Sequence, residues 1–284
     1  FDWVVDWGTV LSGGARGVIY NAGLFRKSGG TGVTPIADTF INTGTVEARS
    51  GTLNFNQSYA QSAGLTLLDG GSLASPQPIQ ILGGTLAGNG VVAASVINSG
   101  VVRIGTSPGI LSISGDYTQT DQGALRLQLA GTAPGTGFDQ LAVSGAATLG
   151  GALDVALTNG FQANNNDTFL VLANASRNGV FASFPSVALG NGRYLNPVYL
   201  TNGVQLVVAG PNPTLTALLD QATGTPRFQL LGVAGLVFFI EATTNFTDWT
   251  SILTNKVPGS TVLDFVDLQS TNYPHRFYRA ELAP

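Results

Sequence analysis

Apolar and polar residues alternate along most of this chain in short runs broken by Gly, Asn, Asp and Ser. Alternation with a period of two predicts half-buried β-strands. Clear cases are Val91–Val96, Ala124–Leu129, Gln140–Val143, Ala152–Leu157, Thr168–Leu172 and Val204–Val208. Successive runs start about 8–14 residues apart, which is the spacing of an all-β protein. One stretch, Thr214–Gln221, carries a helical period and is expected to form one or two turns of helix.

The pattern also repeats. INTGTVEARSGTLNFNQSYAQSAGLTL begins at Ile41, and INSGVVRIGTSPGILSISGDYTQTDQGALRLQL begins at Ile97. The Asn-x-Gly starts, Asn42 and Asn98, are 56 positions apart, and the Tyr-x-Gln marks, Tyr59 and Tyr117, are 58 apart. The difference places a small insertion around Thr106-Ser107-Pro108-Gly109. Repeats of this kind build folds that grow by stacking, because one unit cannot bury its inward face alone. Stacked strands about 4.8 Å apart would pair with neighbours above and below. Val, Ile and Leu are expected inside, and Thr, Ser, Asn and Gln outside.

Glycine precedes strands in a fixed style at Gly70-Gly71, Gly83-Gly84 and Gly150-Gly151. Asn-x-Gly at Asn21, Asn42 and Asn98 suits coil corners, and equivalent Asn residues could form an amide ladder. Ala209–Pro213 (AGPNP) ends this style. Beyond it Phe, Tyr and Trp replace Gly and Ala, with strands expected at Arg227–Leu231, Leu236–Ala242, Thr250–Leu253, Thr261–Val266 and Arg276–Leu282. The expected organisation is all-β: an elongated β-solenoid over residues 1–210, a linker over 211–225, and a small antiparallel β-sandwich with an aromatic core over 226–284.

Composition narrows the function classes. Charged residues are 10% of the 284, far below the usual quarter or so, and the formal net charge is −4. Twelve scattered Lys and Arg leave no basic footprint for nucleic acid. No apolar run is long enough for a membrane-spanning helix. With no cysteine there is neither a disulfide nor a thiolate metal site. The chain begins at Phe1 and contains no Met, as expected of a processed or partial chain.

Gly105-Thr-Ser-Pro-Gly-Ile-Leu-Ser-Ile-Ser-Gly-Asp-Tyr-Thr-Gln119, Leu127-Gln-Leu-Ala-Gly-Thr132 and Gly137-Phe-Asp-Gln-Leu-Ala-Val-Ser-Gly145 together resemble the autotransporter-associated β-strand repeats of bacterial surface proteins. Residues 17 to 208 carry the similarity. The tail, with Phe239-Ile-Glu-Ala-Thr-Thr-Asn-Phe-Thr-Asp-Trp249 and Arg276-Phe-Tyr-Arg-Ala280, resembles a small sandwich module of secreted bacterial proteins. The resemblance implies a right-handed β-helical stem, display outside the cell, and structural or adhesive work. The chain departs from an autotransporter in lacking a C-terminal translocator barrel.

Candidate chemistry is sparse. The single histidine, His275, sits beside Pro274, where a turn residue is the simpler reading than a catalytic base or metal ligand. The nearest acid pairs, Asp116 with Asp121 and Asp264 with Asp267, read as solvated turn acids and not as a polysaccharide-cleaving pair. Asn164-Asn-Asn-Asp167 lacks the ligand spacing of a calcium loop. Gly29-Gly-Thr-Gly32 lacks the Lys-Ser/Thr of a phosphate loop and reads as a coil corner. No catalytic residue, cofactor or metal is therefore expected.

The sharper candidate is the N-terminus. Phe1-Asp-Trp-Val-Val-Asp-Trp-Gly8 alternates so that Phe1, Trp3, Val5 and Trp7 share one strand face. Such a stripe either folds back as a cap on its own first coil or adds, by strand complementation, to another subunit or to a missing upstream coil. The expected function is a structural, secreted or cell-surface bacterial protein that assembles with copies of itself, by strand addition and end-to-end stacking, into a filament or layer. A polysaccharide-binding adhesin stem is the alternative, and a polysaccharide-active enzyme the weaker one.

Overall fold

A computed structural model of the chain describes residues 1–9, 16–105, 108–164, 167–185, 187–190, 192–210, 213–219, 226–232, 236–258, 260 and 262–283. The protein is all-β, and among the described residues the one helical element is a short 3-10 turn, Ser270–Asn272. It divides into two compact units. The first holds Phe1–Ala163, Asp167–Val187 and Asn196–Val207, and the second holds Asn164–Asn166, Ala188–Leu195 and Val208–Pro284.

The first unit is made of three parallel ladders that the chain visits in turn. The first runs through Leu24–Lys27, Thr45–Ala48, the start of Leu65–Ala74, the start of Thr85–Ala93, Val101–Ile104, Ala124–Leu129 and Ala152–Leu157. The second runs through Val33–Ile36, Thr52–Phe55, the ends of Leu65–Ala74 and Thr85–Ala93, Ile110–Ile113, Gln140–Val143 and Thr168–Ala173. The third is an eight-stranded sheet from Val18–Asn21 to Ser176–Gly179.

The register explains the repeat. In the third ladder Asn42 pairs with Gln61, Gln61 with Ile81 and Ile81 with Asn98, in steps of 19, 20 and 17 residues. The 56-residue repeat is therefore three rungs long. The next rung, Val96 to Tyr117, is 21 residues against 19 from Phe40 to Tyr59. Those two extra residues fall between Val101–Ile104 and Ile110–Ile113, where the insertion is expected. Thr106 and Ser107 themselves lie outside the described residues.

The inside differs from the expected aliphatic core in two ways. Phe25, Phe40, Phe55 and Tyr59 are buried together, with Phe40 4.9 Å from Phe25 and 5.0 Å from Phe55 between ring centroids. Amides expected outside are also buried: Asn42, Gln61, Asn98 and Gln119. Parity is the reason, since residues two apart in a strand share a face. Tyr59 and Gln61 point in together, as do Tyr117 and Gln119.

These amides form the expected ladder, and they hold the corner between the third and first ladders. Asn21 Nδ2 donates to Asn42 Oδ1 (2.8 Å) and to the Thr45 carbonyl (3.0 Å). Asn42 Nδ2 donates to Gln61 Oε1 (3.0 Å), and Gln61 Nε2 to the Gly83 and Thr85 carbonyls. Ile81 interrupts the column, and Asn98 resumes it. Gln119 Nε2 donates to the Gly150 (2.8 Å) and Ala152 (2.9 Å) carbonyls. The Tyr117 hydroxyl donates to Gln119 Oε1 (2.8 Å), whereas in the other Tyr-x-Gln mark Thr66 stands between the Tyr59 hydroxyl and Gln61 Oε1. Burial pushes the Tyr117 and Tyr59 phenols well above their ordinary range, keeping them neutral donors.

Gly84 (φ +67°) and Gly151 (φ +60°) stand directly before strands as expected, whereas Gly70 and Gly71 lie inside Leu65–Ala74. That strand passes from the first ladder to the second with no intervening corner.

The second unit contains two three-stranded antiparallel sheets. One orders Thr214–Leu219, Pro226–Leu231 and Val262–Val266, and the other Thr250–Lys256, Val237–Thr243 and Phe277–Leu282. Leu230, Leu236, Phe238, Ile240 and Val257 are the buried cluster, with Leu215, Leu263 and Leu282 packed on it. All five strands expected here are present. The segment expected as a helix is a strand over Thr214–Leu219, paired with Pro226–Leu231, so the expected linker contributes to a sheet. Its β-branched and apolar residues gain more from that pairing than an isolated two-turn helix could supply. Asp220 and Gln221 lie outside the described residues. Phe228 packs on Phe265 (5.0 Å) and Tyr278 (4.3 Å), but Phe246 and Tyr273 are exposed, so the aromatic core is only part of the aromatic set.

Gln119→Ala would remove hydrogen bonds to two corner carbonyls and the acceptor of the Tyr117 hydroxyl, and is expected to destabilise the fold by about 3 kcal/mol in urea titrations. Gln80→Ala, at an outward position of the same ladder, is expected to change it by less than about 0.5 kcal/mol.

Candidate functional site

The N-terminal edge of the ladders is where exposed apolar groups gather. Asp2–Trp3 pairs in parallel with Arg26 and Lys27 and so adds one short strand to the first ladder. The Phe1 amine donates to the Leu24 carbonyl (2.8 Å), and the Phe1 ring lies 6.4 Å from Phe25, at the end of the buried aromatic stack. After Trp3 the alternation breaks, because Val5 and Asp6 form a bend.

An ion pair causes that bend. The Lys27 side chain is fully buried, and its Nζ donates to Asp6 Oδ1 (2.7 Å) and the Gly29 carbonyl (2.8 Å). A buried ammonium needs a charged partner, and Asp6 turns inward to provide it. This hydrogen bond from Lys27 holds the Asp6 carboxyl below its usual range. Gly29, Gly30 and Gly32 are bare because Val4–Asp6 lies against them: a Cβ on Gly29 would come within 2.3 Å of the Val4 carbonyl oxygen. The glycine-rich stretch is a corner, as expected, and it is also the seat of the N-terminal segment.

The four candidate interface residues thus separate. Trp3 is half-buried, with its indole Nε1 buried and without a hydrogen-bond partner among the described residues. Phe1, Val5 and Trp7 are exposed, Phe1 at 89% and Trp7 at 79%. They do not form one strand face. Sequence reasoning missed their companions: Val4, Val18, Tyr20 (74% exposed) and Leu24. Val18–Asn21 is the outermost described strand of the third ladder. The third ladder's amide column also ends here, since among the described residues no donor reaches Asn21 Oδ1.

The opposite edge is covered. Thr168–Ala173 pairs antiparallel with Gly203–Ala209. Ser183 closes the first ladder, accepting from Leu153 N (2.9 Å) and donating to the Gly151 carbonyl (3.0 Å). Arg177, in the last strand of the third ladder, donates through Nε to the Leu200 carbonyl (2.8 Å) and stacks 5.2 Å from the Tyr199 ring centre.

The chemical candidates stay apart. His275 is exposed, 6.0 Å from Phe277. Asp116 accepts from Ala146 N (2.8 Å) as a turn acid, and Asp121 is exposed. Asp264 instead lies in a strand beside Arg227 (3.3 Å). Asp267 is buried and accepts from Arg276 (2.6 Å) and the Tyr278 hydroxyl (3.0 Å), since a buried carboxylate requires such donors. Within Asn164-Asn-Asn-Asp167, the two central residues lie outside the described set. Among the described residues, no three His, Cys, Asp or Glu side chains group as metal ligands.

One acid escaped sequence reasoning. Asp139 is fully buried and, among the described residues, has no ion-pair partner; its two oxygens accept from Gly109 N (2.9 Å) and Gln128 N (2.8 Å). Burial raises its carboxyl to about 6, against the pull of those two N–H groups. Both oxygens are occupied in tying down the inserted connection, which is a structural task.

No family model matches the chain, and no curated protein matches its sequence.

Asp6→Asn is expected to lower the Tm by several degrees at pH 7. Because the folded pKa of Asp6 is depressed, this contribution is present above its unfolded value near 3.8 and fades as pH falls through the folded one. Asp139 acts with the opposite sign. Its raised pKa means that stability is fully present below about 3.8 and lost as pH rises through about 6. Wild-type minus Asp139→Asn stability, measured by chemical denaturation, is expected to fall between pH 4 and pH 7.

Proposed function

We propose that this chain is a structural, secreted or cell-surface protein. In this reading its larger unit is a β-solenoid, its smaller unit a β-sandwich, and its work is self-association. The observation that carries the reading is the inequality of the two ladder edges: one covered by Gly203–Ala209, Ser183 and Arg177, the other, among the described residues, with no strand beyond Asp2–Trp3 and Val18–Asn21 and apolar around Phe1, Trp7, Val18 and Tyr20. Open strand edges with exposed apolar groups are sites of strand addition. The resemblance to autotransporter-associated repeats supports the same cellular setting.

The covered edge bears on how copies would meet. Head-to-tail stacking of ladders needs two open edges, so here the N-terminal edges of two copies face each other about a two-fold axis. A filament or layer would then need a second contact elsewhere on the pair. Cell-surface polysaccharide remains the alternative partner, and it would call for a row of exposed aromatics along a ladder. The exposed aromatics instead cluster at the edge or stand singly at Tyr194, Phe246 and Tyr273.

Sedimentation velocity at micromolar concentrations is expected to show a dimer for the wild type and a monomer for Val18→Glu/Tyr20→Lys. A wild type that stays monomeric up to about 100 μM, which corresponds to a dimer weaker than roughly −5.5 kcal/mol, defeats the proposal. Point variants are preferable to deleting residues 1–8, which would also strip Lys27 of its partner.

A further inference from the structure

The register of the first ladder lines up a column, one residue per rung: Asp2, Arg26, Glu47, Leu67, Ala87, Arg103, Arg126 and Asp154. Neighbouring rungs are about 4.8 Å apart, so charges in the column feel each other strongly. The upper part alternates in sign. Arg26 stands between Asp2 (3.7 Å) and Glu47, and Glu47 also takes Arg49 (2.8 Å). Burial works against the Glu47 charge, but the hydrogen bonds from Arg26 and Arg49 outweigh it and hold its carboxyl below the usual range.

The lower part does not alternate. Arg103 and Arg126 are direct partners in adjacent strands. On the far side, Arg126 meets Asp154 (3.2 Å). On the near side, Arg103 has only Ala87 above it. Among the described residues Arg103 has no ion pair or hydrogen-bond partner. Two like charges side by side, with a single carboxylate beyond Arg126, leave a net positive charge at this place. Such pairing is unfavourable in a sheet unless something else compensates it.

A cavity of about 220 Å³ opens at the same place, lined by Arg103, Arg126, Gln128, Asp154, Val155 and Ala156 among others. It is smaller than a drug-sized pocket and suits a single small group. Its lining is mostly apolar, from Val155, Ala156 and the stems of the two arginines, whose guanidinium groups belong to the same side chains. Planar forks of this kind match the two oxygens of a carboxylate or phosphate.

We propose that the Arg103–Arg126 pair is a binding site for an oxyanion, a carboxylate or phosphate group carried by a small ligand or by a polymer. The anion seats across the two guanidinium groups and supplies the negative charge that the column lacks between rungs. Asp154 sets the strength of the site, because it competes with the incoming anion for Arg126. The site stands on the flank of the ladders and does not depend on the assembly reading.

The test is titration of the full chain with D-glucuronate, inorganic phosphate and, as a neutral control, D-glucose, followed by NMR of the arginine Nε–H groups. The expected result is saturable binding of one or both anions, with Kd on the order of 1 mM, and no response to glucose. Glucuronate alone would name a sugar acid as the source, and phosphate alone a phosphoryl group. Arg103→Gln is expected to weaken binding at least tenfold. Asp154→Asn is expected to tighten it severalfold, a gain that mere loss of structure cannot produce. Arg49→Gln is expected to leave it unchanged, and added NaCl to weaken it. Absence of saturable binding, equal binding of glucose, or an Asp154→Asn variant that binds no tighter would each overturn the proposal.

Discussion

The larger unit depends on satisfying the backbone where each rung turns from the third ladder into the first. At such a corner the carbonyls cannot all find partners in the ladders, and they lie too deep for water. A primary amide solves this because it both donates and accepts. Asn21, Asn42, Gln61 and Gln119 place their NH₂ groups on carbonyls of the next rung, and the oxygens of Asn42, Gln61 and Gln119 take donors from amide, tyrosine or threonine neighbours. A network of this kind also sets the register, since a slip of one residue would turn the amides outward and away from the carbonyls they bond.

Once the corners are set, the ends become the difficulty, because parallel stacking leaves unpaired strands at each. The two ends are treated differently. An antiparallel strand, a bridge at Ser183 and the Arg177 guanidinium cover one end. At the other end residues 1–9 lie on the edge, tied by the ion pair of Asp6 with the fully buried Lys27 and by Asp2 beside Arg26. That segment adds one short strand and leaves several large apolar side chains in solvent, which makes the edge adhesive. Charge is so scarce on the flanks that each unmatched pair stands out, and Arg103 beside Arg126 is such a case.

Much of the fold was legible in the sequence because strand alternation and stacked repeats are local signals. Ala124–Leu129, Gln140–Val143 and Ala152–Leu157 were readable to the residue, and the two-residue insertion could be placed from the offset of Asn42–Asn98 against Tyr59–Tyr117. Thr214–Leu219 was misread as helical because its apolar spacing fits both periods, and only its partner strand decides between them. Of the candidate edge, Phe1 and Trp7 were legible as exposed aromatics. Their neighbours Val18, Tyr20 and Leu24 were not, since nothing local says which rung is outermost.

By itself the sequence determined the all-β class, the repeat, the change of style after Ala209, and the absence of cysteine chemistry. These follow from composition and periodicity, which act over a few residues. Tertiary structure alone decided that the 56-residue repeat is three rungs, that the marker amides face inward, that Lys27 is buried against Asp6, and that Arg103 stands next to Arg126. Each of these joins residues about 20 or more apart, through a register that depends on the exact length of every rung. A change of one or two residues in a connection shifts which side chains become neighbours while leaving the local pattern intact.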